Sequence, residues 1–274
     1  MELIAPSRWT CVDFISDLHL HVSDALTFEA WSHYLQHTAA DAVFILGDLF
    51  ELWVGDDVLS SDASFEKQCV DVLRQAAARM DVYIMHGNRD FLMGSALMAE
   101  ARCTLLEEPC VLSFANQRWL LVHGDAQCLD DTDYMQFRST VRSPSWQQDF
   151  LGKPLAERIA LARNIRAQSE ARKRSDTVYA DVDFQAANDL LDRANARHLV
   201  HGHTHRPAKH ALAANRERLV LSDWDLCAQP PRAEVLRLRL CNTNPAKTTF
   251  TVERIPPSMA ITTQMVCTSA LDRR

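Results

Sequence analysis

Nowhere in the 274-residue chain is there an uninterrupted apolar run of the length a membrane span requires. The first ten residues lack the basic start and apolar middle of a secretory leader, so the chain is expected to be unprocessed and cytoplasmic. The eight cysteines, Cys11, Cys69, Cys103, Cys110, Cys128, Cys227, Cys241 and Cys267, include no Cys-x-x-Cys pair, which argues against a zinc ribbon. Several lie in apolar, strand-like runs and read as reduced buried thiols rather than nucleophiles. An excess of positive charge is missing too. A net charge of −7 speaks against nucleic-acid binding as the main task, although charge can be local. There is no internal repeat and no low-complexity run. What is present is 47% hydrophobic residues, enough for a sizeable core in one large domain, or in a domain with an insertion.

One pattern recurs along the chain. Short apolar strands are predicted at 11–16, 42–46, 81–85, 118–122 and 198–200. Each is followed at once by ligand-type residues: Asp17-Leu-His-Leu20, Gly47-Asp48, His86-Gly-Asn-Arg-Asp90, His123-Gly-Asp125 and His201-Gly-His-Thr-His205. Helical stretches at about 64–79 and 184–196 separate several of these strands, which implies an α/β protein. Loops at the carboxyl ends of strands in such sheets converge on one edge, so five loops distant in sequence are expected to meet. Runs at 218–222, 233–240 and 248–255 suggest a second, more antiparallel sheet, and 257–274 reads as a tail. Residues 131–182 break the rhythm. They hold Tyr134–Arg142, a Ser-Pro-Ser break and a long helical stretch from about Leu155 to Arg174, with Leu155, Ile159, Ala162 and Ile165 at helical spacing. Within 153–174 stand Lys153, Arg158, Arg163, Arg166, Arg172, Lys173 and Arg174 against only Glu157 and Glu170, a basic insertion in an acidic chain. The resulting division is a core at 1–130, a helical insertion at 131–182, the rest of the core at 183–256, and the tail.

The candidate metal ligands are Asp17, His19, Asp48, Asn88, His123, His203 and His205. Oxygen and imidazole donors together suit manganese, iron or zinc better than metals that prefer thiolate. Asp17 and His19 are two apart after a strand and can reach one ion. His203 and His205 repeat that arrangement, and Gly202 lets the backbone approach. Asp48 follows a glycine at a strand end, where a carboxylate can bridge. Seven donors suit two ions roughly 3.5–4 Å apart, the spacing that clamps a phosphoryl group. Taken singly, each piece has an ordinary reading as a turn, a solvated charge or a packed histidine. Taken together they indicate a two-metal phosphoesterase. A nuclease or nucleotide phosphodiesterase on the same scaffold, and a non-catalytic protein-binding scaffold, stay open at this point.

The set Asp17-x-His19, Gly47-Asp48, Gly87-Asn88-Arg89-Asp90, His123 and Gly202-His203-x-His205 resembles the signature of the calcineurin-like metallophosphoesterases. Longer strings are similar to the UDP-2,3-diacylglucosamine pyrophosphohydrolase family of lipid A synthesis. They are Ser16–Leu20, Ile45–Glu51 with Trp53 and Gly55-Asp-Asp57, His86–Leu92, His123–Asp125 and His201–Pro207, and the match spans about residues 11–255. The resemblance implies a two-sheet β sandwich flanked by helices, with a helical lid. Asp17, His19, Asp48 and His205 would hold one Mn2+; Asp48, Asn88, His123 and His203 would hold a second, with other divalent ions as substitutes. Water would attack the α-phosphorus of the acylated UDP-sugar, giving UMP and 2,3-diacylglucosamine 1-phosphate. Asn88, Arg89 and His123 would be catalytic. Asn88, Arg89, Asp131, Tyr134, Arg166, Ser169, Lys173 and His203 would contact substrate. At Asp176 the family pattern often has a lysine, whose place Lys173 or Arg174 would take. Ser222-Asp223-Trp224 stands where Gly-x-Trp is common, a change expected to touch a turn more than the chemistry. The protein would be a monomer working peripherally on the cytoplasmic face of the inner membrane, without nucleic acid.

Two features agree with that implication on physical grounds. Many relatives carry histidine where this chain has Arg89. Arginine stays charged and gives up no proton, which suits a leaving phosphate that needs charge stabilisation but no acid. Anhydride cleavage is thereby favoured over ester cleavage. The insertion, with Phe150, Leu151, Leu155 and Ile159 beside a basic face, suits acyl chains and an anionic lipid surface. An ordinary amphipathic helix with a solvated basic face is the simpler alternative from these residues alone.

Overall fold

The computed structural model describes residues 1–61, 63–175, 180–242 and 248–260 of the chain, with the side chains of 169–175 and 242 left aside. The strands are β1 (Glu2–Ile4), β2 (Cys11–Ile15), β3 (Ala42–Leu46), β4 (Asp81–Met85), β5 (Thr104–Leu106), β6 (Cys110–Phe114), β7 (Gln117–Leu121), β8 (His198–His201), β9 (Ala208–Ala211), β10 (Glu217–Val220), β11 (Val235–Asn242) and β12 (Thr249–Ile255). The helices are α1 (Ala25–His37), α2 (Phe65–Ala77), α3 (Ser95–Ala101), α4 (Thr132–Val141), α5 (Pro144–Leu151), α6 (Leu155–Ser175) and α7 (Phe184–Ala194).

Two six-stranded sheets form, in the orders β12-β11-β2-β3-β4-β5 and β1-β6-β7-β8-β10-β9. Strands β2 to β5 run parallel, as the intervening α1, α2 and α3 require. Side chains alternate across each strand, and both faces find a partner. From β2 and β3, Val12, Phe14, Ala42, Phe44 and Leu46 point into the core between the sheets, where Trp119, Leu121 and Val200 meet them. Ile15, Val43 and Ile45 point outward under Trp31, Leu35 and Leu73 of α1 and α2. On the far side, Val111, Leu120 and Leu199 are covered by Ala187 and Leu191 of α7. The layers are therefore helix, sheet, sheet, helix. Burial on both faces is why these strands read as continuous apolar runs.

One outward residue is charged. Asp13 is fully buried, and Arg237 reaches it with two bonds of 2.7 Å, while Tyr34 and Thr38 donate to it at 2.9 and 3.0 Å. This network ties β11 and α1 to β2.

The strands expected at 11–16, 42–46, 81–85, 118–122 and 198–200 correspond to β2, β3, β4, β7 and β8. Two expectations need correction. The C-terminal strands do not make a sheet of their own. β11 pairs antiparallel with β2 and β12 antiparallel with β11, extending the first sheet, and β10 pairs parallel with β8 in the second. The five ligand-bearing strands are thus split between sheets, three in one and two in the other. The first residues of the stretch expected to be a tail are packed on the body of the protein. Residues Pro257–Met259 form a helical turn, Ala260 is fully buried, and its carbonyl accepts from Ala39 N–H at the end of α1. Residues 261–274 and Asp176 lie outside the described residues.

The insertion folds as α4, α5 and α6. Asp131 caps α4 by accepting from Tyr134 N–H, and Ser143 caps α5 ahead of Pro144. Arg158 is not part of a solvated face. It is buried, and its guanidinium bonds Asp57, the Val54 carbonyl and the Lys153 carbonyl, pinning α6 to the loop after β3.

Candidate metal centre

The loops after β2, β3 and β8 leave their strands by unusual backbone turns. Asp17, His19, Asp48, His203 and His205 all have positive φ, between 49° and 67°. For residues with a side chain this region costs roughly 1–3 kcal/mol each and persists only where the surroundings enforce it. Five of the seven candidate ligands share it, so the strain is concentrated where the donors converge. Two glycines allow that convergence. A Cβ at Gly87 would collide with the Asp48 carboxylate, and one at Gly202 with that of Asp17.

All seven residues meet at one end of the sandwich. On one side His19 Nε2 lies 3.3 Å from His205 Nε2, and His205 Nε2 lies 3.3 Å from Asp17 Oδ1. On the other, Asn88 Oδ1 lies 2.9 Å from His203 Nδ1 and 3.1 Å from His123 Nε2. Asp48 stands between them, 4.0 Å from His19 Nδ1 and 3.8 Å from His123 Nε2. Asp17 joins the sides as well, since its Oδ2 accepts from His203 N–H at 2.9 Å. Two triads bring their donor atoms within 4.8 Å of one another: Asp17, His19 and His205, and Asp17, Asp48 and His123.

The donor chemistry fits cations. The Leu46 carbonyl can only accept, so His123 Nδ1–H donates to it at 2.8 Å. The neutral ring then turns a bare lone pair on Nε2 toward the oxygens of Asn88 and Asp48. Lone pairs facing one another call for a positive charge between them. His19 Nδ1 is buried and has no hydrogen-bond partner, the mark of a group that expects another one. Electrostatics agree. With no ion between them, burial opposes charge on His123, yet Asp48, Asp17, Asp125 and Glu108 outweigh it and push the imidazole up to about 9, so that a proton takes the place on Nε2 that a cation would fill on the neutral ring. Burial likewise opposes the Asp17 carboxylate, but His205, His123 and His19 hold it well below the usual range. The His205 ring has a carboxylate behind it: Asp223 Oδ2 stands 3.6 Å from Nδ1. The Ser222–Trp224 segment therefore reaches the centre, contrary to expectation, because Trp224 N–H bonds the Asp17 carbonyl and fixes it there.

Arg89 does not pair with Asp90. Asp90 instead accepts from the backbone of Leu49, Phe50 and Gly87 and binds the β3 and β4 loops together. Arg89 Nε faces Asp48 Oδ2 at 3.4 Å, and its Nη1 bonds Glu51. The other Glu51 oxygen accepts from Arg166 Nε of α6 at 2.7 Å. Glu51 thus links the centre to the insertion, and the sequence reading did not single it out. Nor did it single out Asp125, fully buried, which accepts from Tyr134 Oη at 2.6 Å and Arg138 Nε at 2.8 Å. Burial opposes its charge, but His123 and Arg138 hold its carboxyl low. Tyr134 in turn stays protonated, being buried beside Asp125. The only signal for either was its place at the end of a family-like string, Ile45–Glu51 for one and His123–Asp125 for the other. Asp131 is exposed and serves as a helix cap. The side chains of Ser169 and Lys173 lie outside the described residues.

Two cavities open on the centre. One, of about 670 Å³, runs under α4 to α6 and is mainly apolar, with Phe91, Leu92, Trp146, Phe150 and Ile165 on its walls and Asn88 and Arg89 at its inner end. The other, of about 910 Å³, lies on the far side of Arg89, Glu51 and Arg166 and includes His19 and His205 in its lining. No helix among the described residues is long and apolar enough to cross a membrane.

The sequence profile of the calcineurin-like phosphoesterases, a family of metal-dependent hydrolases, matches residues 12–207. The UDP-2,3-diacylglucosamine hydrolase of Bordetella pertussis is 43% identical, over 79% of this chain and 87% of that one. The enzyme of the same name from Chromobacterium violaceum is 45% identical over 78% and 90%, and that from Chromohalobacter salexigens is 40% identical over 77% and 87%. With the signature residues gathered at one point and these matches spanning most of both chains, the protein belongs to the calcineurin-like phosphoesterase family and, within it, to the UDP-2,3-diacylglucosamine hydrolases.

Proposed function

We infer that the chain hydrolyses the pyrophosphate of UDP-2,3-diacylglucosamine by water attack at the α-phosphorus, releasing UMP and 2,3-diacylglucosamine 1-phosphate. The observation that carries this reading is the apolar cavity under the lid, which opens directly on the seven-donor cluster. A small polar phosphodiester would have no use for Phe91, Trp146 and Phe150 beside the cluster; two acyl chains would.

Asp17, His19, Asp48 and His205 would hold one divalent ion, and Asp48, Asn88, His123 and His203 a second, manganese being the proposed metal. Such a pair, when bound, supplies positive charge to the phosphoryl oxygens and acidity to water. The chain's own residues do the rest. Leu46 fixes the His123 tautomer, so that Nε2 faces the cluster. Asn88 turns its carbonyl oxygen toward His123 and His203. Arg89, held by Glu51 and Asp48, places a permanent charge where the leaving phosphate departs and donates no proton to it. Arg166 and Tyr134 line the same inner wall and meet the sugar and its phosphate. Asp131, Ser169 and Lys173 are proposed as further head-group contacts. Leu151 and Leu161 are exposed on the lid near Lys153 and Arg163, which supports peripheral contact with the anionic cytoplasmic face of the inner membrane.

The test is product analysis after incubation with UDP-2,3-diacylglucosamine and Mn2+ in water enriched in heavy oxygen. Label in UMP is expected. Label in the sugar phosphate would move the attack to the other phosphorus, and no turnover would sink the substrate assignment.

A further inference from the structure

The cleft of about 910 Å³ beyond the Arg89–Glu51–Arg166 wall is left without a role by the lid cavity. Its lining has more polar than apolar surface, the reverse of the lid cavity, and its volume is within the range of small-molecule sites. It begins at His19 and His205, on the side of the cluster opposite Asn88 and Tyr134. Resting on the substrate assigned above, we propose that this cleft binds the uridine half of the substrate and so provides the nucleotide specificity of the enzyme.

At a tetrahedral α-phosphorus, the ribose oxygen and the bridging oxygen leave in different directions. The two halves of the substrate therefore part at the cluster, and each needs its own channel. One half is two hydrocarbon chains on a sugar; the other is a flat base with two acceptor oxygens and an N–H, on a ribose with two hydroxyls. The acyl half is excluded from the polar cleft by the cost of leaving carboxylates and guanidinium groups unsolvated against hydrocarbon. The nucleoside half is suited to it. Arg163 of α6 and Glu66 of α2 line the cleft, and among the described residues neither is paired with another charge. The first offers donors for the base oxygens, the second an acceptor for the base N–H or a ribose hydroxyl. Phe65, packed on Phe28 with ring centroids 5.3 Å apart, offers a face for stacking. Asp225 also lines the cleft, with Arg232 3.2 Å away.

The test compares inhibition of the Mn2+-loaded enzyme by its two products. Loss of one charge-assisted hydrogen bond, in Arg163→Ala, is expected to weaken UMP inhibition by about tenfold and to leave inhibition by 2,3-diacylglucosamine 1-phosphate as in the wild type. Phe65→Leu, which keeps the packing on Phe28 but removes the flat face, is expected to do the same from the core side of the cleft. Trp146→Ala, in the lid cavity, is expected to give the opposite pattern. Equal loss of both products' binding in Arg163→Ala and Phe65→Leu, or loss of UMP binding only in Trp146→Ala, would overturn the proposal. If the wild type fails to hydrolyse the acylated UDP-sugar, the substrate assignment falls instead. Direct calorimetric titration of UMP into wild type and Arg163→Ala then decides the cleft: tenfold weaker binding in the variant sustains a nucleotide site, and equal affinity ends it.

Discussion

Arg89 sits between two carboxylates, with Asp48 at 3.4 Å and Glu51 bonded to its end nitrogen. Both hold its charge toward the cluster, and in the proposed reaction that charge acts on the leaving phosphate in the transition state. Arg89→Ala is predicted to lower kcat by on the order of a hundredfold with a smaller change in KM. A steady-state analysis showing the loss in KM alone would contradict that role. At this scale the sequence was informative where chemistry follows a strand end. The convergence of the seven candidate ligands was legible because each stands at or within a few residues of one. Glu51 and Asp125 were not, because a carboxylate's role depends on what faces it. The partner of Glu51 in α6 is 115 positions away, and Tyr134 and Arg138 reach Asp125 only once α4 has docked.

Among the elements, α6 shows the same limit. Its helical spacing was readable, but the face on which each arginine lies was not. Arg158, counted with a basic surface, is buried and bonds two backbone carbonyls and Asp57. It ties the insertion to the loop after β3. Arg158→Ala is predicted to raise KM and to speed proteolysis within 153–168, while the cooperative melting of the sandwich shifts little. A large fall in the melting midpoint with unchanged lid proteolysis would show that the anchor serves the core instead. Strand pairing was likewise hidden. β10 and β11 read alike as apolar runs, yet one extends β8 and the other β2. Each carries a buried arginine, and the partners differ: Arg237 of β11 bonds Asp13 on β2, whereas Arg218 of β10 bonds Asp181 ahead of α7. A charge at such a position fits only beside its partner.

On the scale of the whole molecule, two sheets supply one centre. The β2, β3 and β4 loops carry Asp17, His19, Asp48 and Asn88; the β7 and β8 loops carry His123, His203 and His205. The sandwich is held by apolar side chains between the sheets, and the donors at its rim contribute strain and unshared lone pairs in place of stability. Ions that relieve both should stabilise the fold by binding only its native state. The most direct measurement is equilibrium titration of the metal-free protein with Mn2+, read by bound metal per chain and by melting temperature together. The account predicts two ions per chain and a melting temperature that rises with free Mn2+, with Asp48→Ala losing both effects. A wild-type protein that saturates with one ion or none, or that melts at the same temperature with and without metal, would contradict it.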